Sequence, residues 1–415
     1  MLAATEAFSM DINVSPKPAA PVTVKSTKLA SGIRIIARDN GSATANLKFA
    51  VMCGSSAESL SEQGSSKLLS VAAFGGSTDR SGLRMCRDLE NAGATFSATS
   101  DREKIVYSVS CLADKVDEVV GVVSEAITKP IGENKFYTLE ETAKETERII
   151  MDARSSDPRA QVEDLLLEAA YGENTAMGKP EYSPNLKHLT ADEVMAFRNT
   201  HFKTGNLVIS ASGVPHDTLK GLVDCYFHGM PEGKPTATAV TYSGGDMKVR
   251  TDLDGETYMA LGFHSPAGGA STLLAAKLED KISGLGVKKG MLSIFSGNGL
   301  VGFIAHGDAS AVTKAIEAAV GALKAISTDA SVSDGDKASA TLSNFLALEG
   351  NDSSGSLLEA AIAGVDPSAH ADVRKVSAAD VSACAKAALA GVPAYAVYGA
   401  TAGTPSFSTV SKMCK

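Results

Sequence analysis

Tryptophan is absent from the 415 residues and aromatic residues make up only 5% of them, so any core must be filled by Ala, Val, Leu and Ile. Cysteine is sparse. Six thiols, at 53, 86, 111, 225, 384 and 414, are scattered without a single Cys-x-x-Cys pair. That excludes a disulfide-dense secreted scaffold and a thiolate metal cluster, and predicts isolated buried thiols in a reducing compartment. Positive charge is in deficit, with 39 Lys and Arg against 48 Asp and Glu for a net −9. Nucleic acid is excluded as a partner, because neutralising phosphates needs clustered cations. Long apolar runs are missing too. The longest uncharged run, 387–411, contains Pro393, Pro405 and three glycines, a backbone that hydrocarbon would leave unsatisfied. No arginine precedes Arg34, while Glu6 and Asp11 sit near the start. This is not the charge pattern of a transit peptide, so either a leader has been removed or targeting uses another signal.

Histidine is missing from the first 187 residues. All seven (188, 201, 216, 228, 264, 306, 370) follow, and the nearest spacings are 12, 13 and 15. No two share a helix face at i and i+4, which excludes a zinc helix of the H-E-x-x-H or H-x-x-E-H type. Each histidine is expected in a hydrogen-bonded structural or surface role. There is no G-x-S-x-G nucleophile elbow. GLGVKKG (284–290) has neither the Walker A spacing nor G-x-G-x-x-G, and reads as a loop before a strand. The serine-rich stretch 55–66 reads as solvated loop. Glu140, Glu141, Glu145 and Glu147, interleaved with Lys144 and Arg148, read as a solvated helix face with i,i+4 pairs.

What is present is a pattern stated twice. FSATS (96–100) and KIVYSVSC (104–111) alternate as two strands and lead into the amphipathic stretch 113–127. In the second half MLSIFS (291–296) and LVGFIAHG (300–307) precede the helical pattern 309–326. LTADEVMAFRNTHF (189–202) leads to the strand NLVISASG (206–213), and VSAADVSACAKAAL (376–389) leads to PAYAVYGA (393–400). Thr190 to Gly213 and Ser377 to Ala400 both span 23 positions. Thr190 with Glu193, and Ser377 with Asp380, mark capping boxes at the two helix starts. Further helical stretches are expected over 133–156 and 333–349. The Gly-, Pro- and Thr-rich segment 229–246 reads as a linker. The predicted organisation is an arm over 1–24, a first domain over 25–228, the linker, and a second domain over 247–415. The fold class is α+β: two homologous domains, each a mixed β-sheet with helices packed mainly on one face.

The order of these pieces resembles the pitrilysin-type family, which includes the mitochondrial processing peptidases and the core proteins of respiratory complex III. The resemblance covers nearly all of 25–400. It starts at TKLASGIRIIARD (27–39), continues through FAVMCGSSAES (49–59), and includes SDREKIVYSVSCLADKVD (100–117). Active members of the family open a helix with H-x-x-E-H, two histidines holding zinc and the glutamate activating its water. Here the segment is GSSKLLSV (64–71), which places Lys67 and Val71 at the ligand positions and Ser70 at the base. Glu147, 76 positions after Val71, matches the family's third ligand. The resemblance therefore implies no catalytic, metal or cofactor-binding residues and no cofactor.

The stretch 284–305 is similar to core protein 2 of complex III. It keeps Gly284, Gly286 and Gly290, with Gly268 and Gly269 nearby, fewer glycines than the loop of the processing peptidase's alpha subunit. That similarity implies a non-catalytic structural subunit on the matrix side of the mitochondrial inner membrane. It would be paired with core protein 1 and support cytochrome b, cytochrome c1 and the Rieske iron–sulfur protein. The alternatives are the non-catalytic alpha subunit of a processing peptidase, or a dual-role core subunit whose partner cleaves presequences.

Overall fold

The opening stretch doubles back at Gly32, whose φ of +97° suits a residue without Cβ. Leu29 N–H donates to the carbonyl of Ile33 across this turn (2.8 Å). The structure is a computed structural model. It describes residues 23–129, 156–181, 189–234, 240–283, 291–328, 332–349, 353–363 and 375–414, apart from 174, 252, 254, 266, 267 and 298, together with six positions between 145 and 153.

The strands of the first half are β1 (Thr23–Lys28), β2 (Arg34–Asp39), β3 (Thr44–Val51), β4 (Thr95–Ser100), β5 (Ile105–Leu112) and β6 (Leu207–Ser212). They form one sheet in the order β1-β2-β6-β3-β5-β4, parallel only between β2 and β6. The second half supplies β7 (Gly245–Arg250), β8 (Thr257–His264), β9 (Leu292–Gly297), β10 (Leu300–Gly307) and β11 (Ala394–Gly399). Their order is β7-β11-β8-β10-β9, parallel only between β7 and β11. Without β1, the first sheet repeats the second strand for strand, in order and direction. The repetition seen in the sequence is thus a repetition of topology. β7 starts at Gly245, inside the stretch expected as linker.

One face of each sheet is covered by helices from its own half. On the first these are α1 (Ser65–Val71), α2 (Gly82–Asn91), α3 (Val116–Thr128), then, after α4 (Pro158–Tyr171), α5 (Ala191–His201) and α6 (His216–Tyr226). Leu47, Phe49, Tyr107 and Ile209 of the sheet pack there with Leu68, Leu89, Val119, Val123, Phe197 and Leu219. On the second sheet, α7 (Gly269–Ser283), α8 (Ala309–Thr328) and, after α9 (Asp334–Glu349) and α10 (Ser353–Ala363), α11 (Ala378–Ala390) enclose Leu261, Phe263, Phe303 and Tyr395. The chain closes with α12 (Phe407–Cys414). Both capping boxes form, Thr190 with Glu193 and Ser377 with Asp380.

The opposite faces are covered by exchange. α4 belongs to the first half by sequence but lies on the second sheet, where Val162, Leu166 and Ala170 meet Ala260, Ala394 and Ala396. Small residues line this contact, where a Cβ on Gly262 would meet the Leu166 side chain at an ordinary van der Waals distance of 3.4 Å. α10 belongs to the second half and lies on the first sheet, burying Leu357, Leu358 and Ala361 against Ile36, Ala50, Val106 and Val208. Its two ends are held by the sheet beneath. Ser210 Oγ donates to Ser354 O (2.7 Å) and Ser353 Oγ to Ser212 Oγ (3.0 Å), while the Arg34 guanidinium donates to Ala361 O (3.1 Å) and Ile362 O (3.2 Å). Arginine on the last carbonyls of a helix satisfies acceptors that the helix itself leaves open.

Among the described residues no helix is long and apolar enough to cross a membrane. All six cysteines are free. Cys53, Cys111 and Cys414 are buried as expected, whereas Cys225 lies exposed on α6, whose outer face needs no apolar residue there.

Candidate functional site

The site is organised around the start of α1. Gly64 precedes it with φ +97°, and a short turn carries the chain there from β3. The Glu58 carboxylate, 3% exposed, accepts from Gly64 N (2.7 Å), Ser66 N (2.8 Å) and Ser66 Oγ (2.6 Å). It therefore satisfies N–H groups that begin a helix without a partner. Burial pushes the Glu58 carboxyl up, against the opposing pull of these hydrogen bonds and of Lys179. The expectation of a solvated loop over 55–66 holds for Ser59, Leu60 and Ser61, which are exposed, and is corrected on either side of them. Ser55, Glu58, Ser65 and Ser66 are buried; the carboxylate gives Ser66 the acceptor that water would otherwise provide, whereas the Ser55 and Ser65 hydroxyls are buried without a hydrogen-bond partner. The sequence hint was the acidic residue after Gly54-Ser55, whose partners six and eight positions on could not be read from spacing alone.

Lys67, Ser70 and Val71 sit on the one turn, as their spacing requires. Val71 is 48% exposed. Ser70 is buried, its hydroxyl donating to Lys67 O (2.8 Å) with Ser100 Oγ at 3.3 Å. Burial lowers the Lys67 ammonium, and the charge of Glu181 acts the other way. An ammonium, an engaged hydroxyl and an isopropyl group do not fit a zinc ion, which needs lone pairs on deprotonated donors. Glu147 lies outside the described residues, as do Gly284, Gly286, Gly290, His188 and His370. Among the described residues no three His, Cys, Asp or Glu side chains group as a metal site.

The described histidines are separate from one another. His216 Nε2 bonds Thr27 Oγ1 (3.0 Å), His228 Nδ1 bonds Cys225 O (2.6 Å), and the rings of His264 and His306 stack on Tyr242 and Tyr258. His201 is the exception to the expected roles. It is buried against Phe197, its Nδ1 has no hydrogen-bond partner, and burial holds its imidazole below the ordinary value. Of the acidic stretch 140–148, Glu145 pairs with Arg148 (2.6 Å) at the surface; Glu140, Glu141 and Lys144 lie outside the described residues.

A cleft of about 610 Å³ opens between the two halves. Its apolar floor is Leu166 and Leu167 of α4 with Phe295 and Ile304 of the second sheet; its acidic rim is Asp101, Glu103, Glu163, Asp164, Glu181 and Glu359. Two cations of the β4–β5 turn also line it. Arg102 pairs with Asp164, Lys104 pairs with Glu359, and Arg102 Nε donates to Lys179 O (3.3 Å). Lys179 Nζ in turn bonds the carbonyl of Glu58, so the cleft wall and the start of α1 share one polar chain. Sequence reasoning missed the cleft. Its acids come from four separate segments and only the exchange of α4 and α10 brings them together. A second cleft, between α2 and α3, has its charges tied internally, Arg80 to Asp88 (2.6 Å) and Glu125 (3.1 Å).

Comparison with known families decides the fold's ancestry. Residues 34–184 match the family described as Insulinase (Peptidase family M16), and residues 188–341 match the Peptidase M16 inactive domain. The chain belongs to peptidase family M16. The first match contains α1, the β4–β5 turn and α4, so one M16 unit supplies both the zinc-helix position and most of the cleft rim. α10 and β11 follow the second match, yet β11 sits between β7 and β8 and α10 covers the first sheet. Among its relatives, the chain is 28% identical over 217 residues to an uncharacterized zinc protease of Rickettsia felis, covering 51% of each. It is 27% identical over 253 residues to a probable mitochondrial-processing peptidase subunit alpha-2 of Arabidopsis thaliana (59% of this chain, 49% of the relative). It is 25% identical over 252 residues to the mitochondrial-processing peptidase subunit beta of Neurospora crassa (57% and 52%). The chain thus spans about half the length of these relatives.

Proposed function

We propose that this M16 chain is the non-catalytic, alpha-type subunit of a mitochondrial processing assembly, binding cationic amphipathic peptide segments for a zinc-bearing partner. One observation carries the reading: the α1 turn presents Lys67, Ser70 and Val71 in place of metal donors and a base, while the acid-rimmed, apolar-floored cleft beside it is fully built. A cleft with carboxylates above Leu166, Leu167, Phe295 and Ile304 complements a segment with basic residues on one side and apolar residues on the other. Relatives of both alpha and beta types support an assembly of this kind and a matrix location.

A second reading, a structural core subunit of complex III joined to core protein 1, is favoured by the sparse glycines of 284–290. The test measures zinc by mass spectrometry, peptide cleavage, and binding of a fluorescent basic amphipathic peptide to the purified chain. Expected are no stoichiometric zinc, no cleavage by the chain alone, and salt-sensitive peptide binding. Cleavage by the chain alone with one bound zinc overturns the reading; binding no stronger than to a neutral peptide leaves the structural-core reading instead.

A further inference from the structure

We propose that Lys104 is a specificity-determining placeholder, an internal ammonium seated in the carboxylate cage that a cationic side chain of a bound peptide takes over. The proposal rests on the peptide-binding reading and adds which acids do the recognising. The β4–β5 turn reads Asp101-Arg102-Glu103-Lys104, and its four charges are used differently. Asp101 shapes the turn: its Oδ1 accepts from Glu103 N (2.8 Å) and Lys104 N (2.9 Å), and its Oδ2 lies 4.0 Å from Lys104 Nζ. Arg102 is fixed twice, on Asp164 and on the carbonyl of Lys179. The backbone beneath is pinned, since a Cβ on Gly54 would stand 2.2 Å from Asp101 O.

Lys104 instead reaches across to Glu359 of α10, the helix contributed by the other half, whose carboxylate is 55% exposed to the cleft. The ammonium thus has Asp101, Glu103 and Glu359 about it, three carboxylates against one cation. Burial raises the Glu103 carboxyl, the charges of Asp101 and Glu359 raise it further, and Lys104 only partly offsets them. By geometry alone, the three carboxylates around one ammonium carry more acid than the resident cation can pair. A singly charged peptide that displaces Lys104 replaces an interaction already present, so it gains little. A peptide with several cations can take over Glu359 and satisfy Glu103 as well.

The test titrates the full chain with fluorescent amphipathic peptides carrying one or three arginines. Lys104→Met empties the cage and is expected to tighten both peptides about two- to fivefold at low ionic strength, the range of a single partly exposed ion pair. The gain should vanish at about 0.5 M salt, where screening is short-ranged. Lys104→Arg, which refills the cage, should bind as wild type does. Glu359→Gln, which removes a wall rather than the occupant, should weaken the three-arginine peptide and reads the same cage should Lys104→Met not fold. If wild type binds the peptides but a folded Lys104→Met chain gains nothing, the placeholder assignment falls alone; if wild type binds neither, the peptide-binding reading falls and takes the placeholder with it.

Discussion

Removing Glu58 tests whether an internal carboxylate, rather than solvent, starts α1. In Glu58→Ala the amides of Gly64 and Ser66 lose their acceptor, and so does the buried Ser66 hydroxyl. Each buried donor left without a partner costs about 1–3 kcal/mol. The alanine also relieves the desolvation that burying a carboxylate imposes, which is why the expected loss is about 3–5 kcal/mol rather than the full sum. Glu58→Gln can keep its oxygen for Ser66 N and Ser66 Oγ but sets its NH2 group against the Gly64 N–H, so it should lose about 1–3 kcal/mol, less than the alanine. The two variants thus separate the Ser66 donors from the Gly64 amide. The pH dependence has a definite sign. The folded Glu58 carboxyl is raised above its ordinary value, chiefly by burial, so the folded chain holds its proton to higher pH than the unfolded chain does. Stability from this group is therefore greatest below the ordinary glutamate range and falls as pH rises from there through the folded value. Urea unfolding followed by circular dichroism, at pH 4 to 8, measures all of this. Wild type should lose stability relative to Glu58→Gln across that rise. An alanine variant within about 1 kcal/mol of wild type would refute the account of how α1 begins.

Arg198 is buried and donates through Nη2 to Ile127 O (2.7 Å) and Lys129 O (2.6 Å), closing the end of α3, so Arg198→Met should destabilise by about 2–4 kcal/mol in the same assay. Arg34→Ala frees the last carbonyls of α10, and hydrogen exchange should accelerate over 353–363 while the helices of the first core stay protected. Gly213→Ala forces a side chain onto φ +83° with its Cβ 2.3 Å from Thr44 O, and a drop in thermal midpoint of several degrees is expected by calorimetry. Leu357→Ala opens the contact between α10 and the first sheet and should cost about 2–5 kcal/mol, read by urea unfolding.

The sequence makes the strand–strand–helix units legible because each is local. The alternation of 104–111 becomes β5 and that of 300–307 becomes β10, and Thr190 and Ser377 start their helices within one turn of their capping partners. The α1 turn is legible for the same reason, since Lys67, Ser70 and Val71 lie within five residues. Long-range assembly leaves no such trace. Leu166 and Ala170 look like any amphipathic face, and nothing in their spacing says that the face packs on Ala260, Ala394 and Ala396, about 90 to 230 residues later. Asp164 and Glu359 are nearly 200 positions apart, yet both answer cations of one turn. The burial of Ser66 was obscured by composition: serine is usually solvated, and the Glu58 carboxylate reverses that rule for Ser66.

The exchange of α4 and α10 also bears on how such a chain changes function. The cleft's floor and rim come from both halves, and its walls are fixed by helices buried on the sheet of the opposite half. Its shape therefore depends on packing distributed over two cores, whereas Lys67, Ser70 and Val71, the positions matched to two zinc ligands and the base, lie on a single turn. Substitutions at Lys67, Ser70 and Val71 fall on a helix whose inward residues, Leu68 and Leu69, still pack in the first core, and whose start is held by Glu58. Changes at these three positions would therefore leave the cleft walls in place, since its lining residues come from other elements.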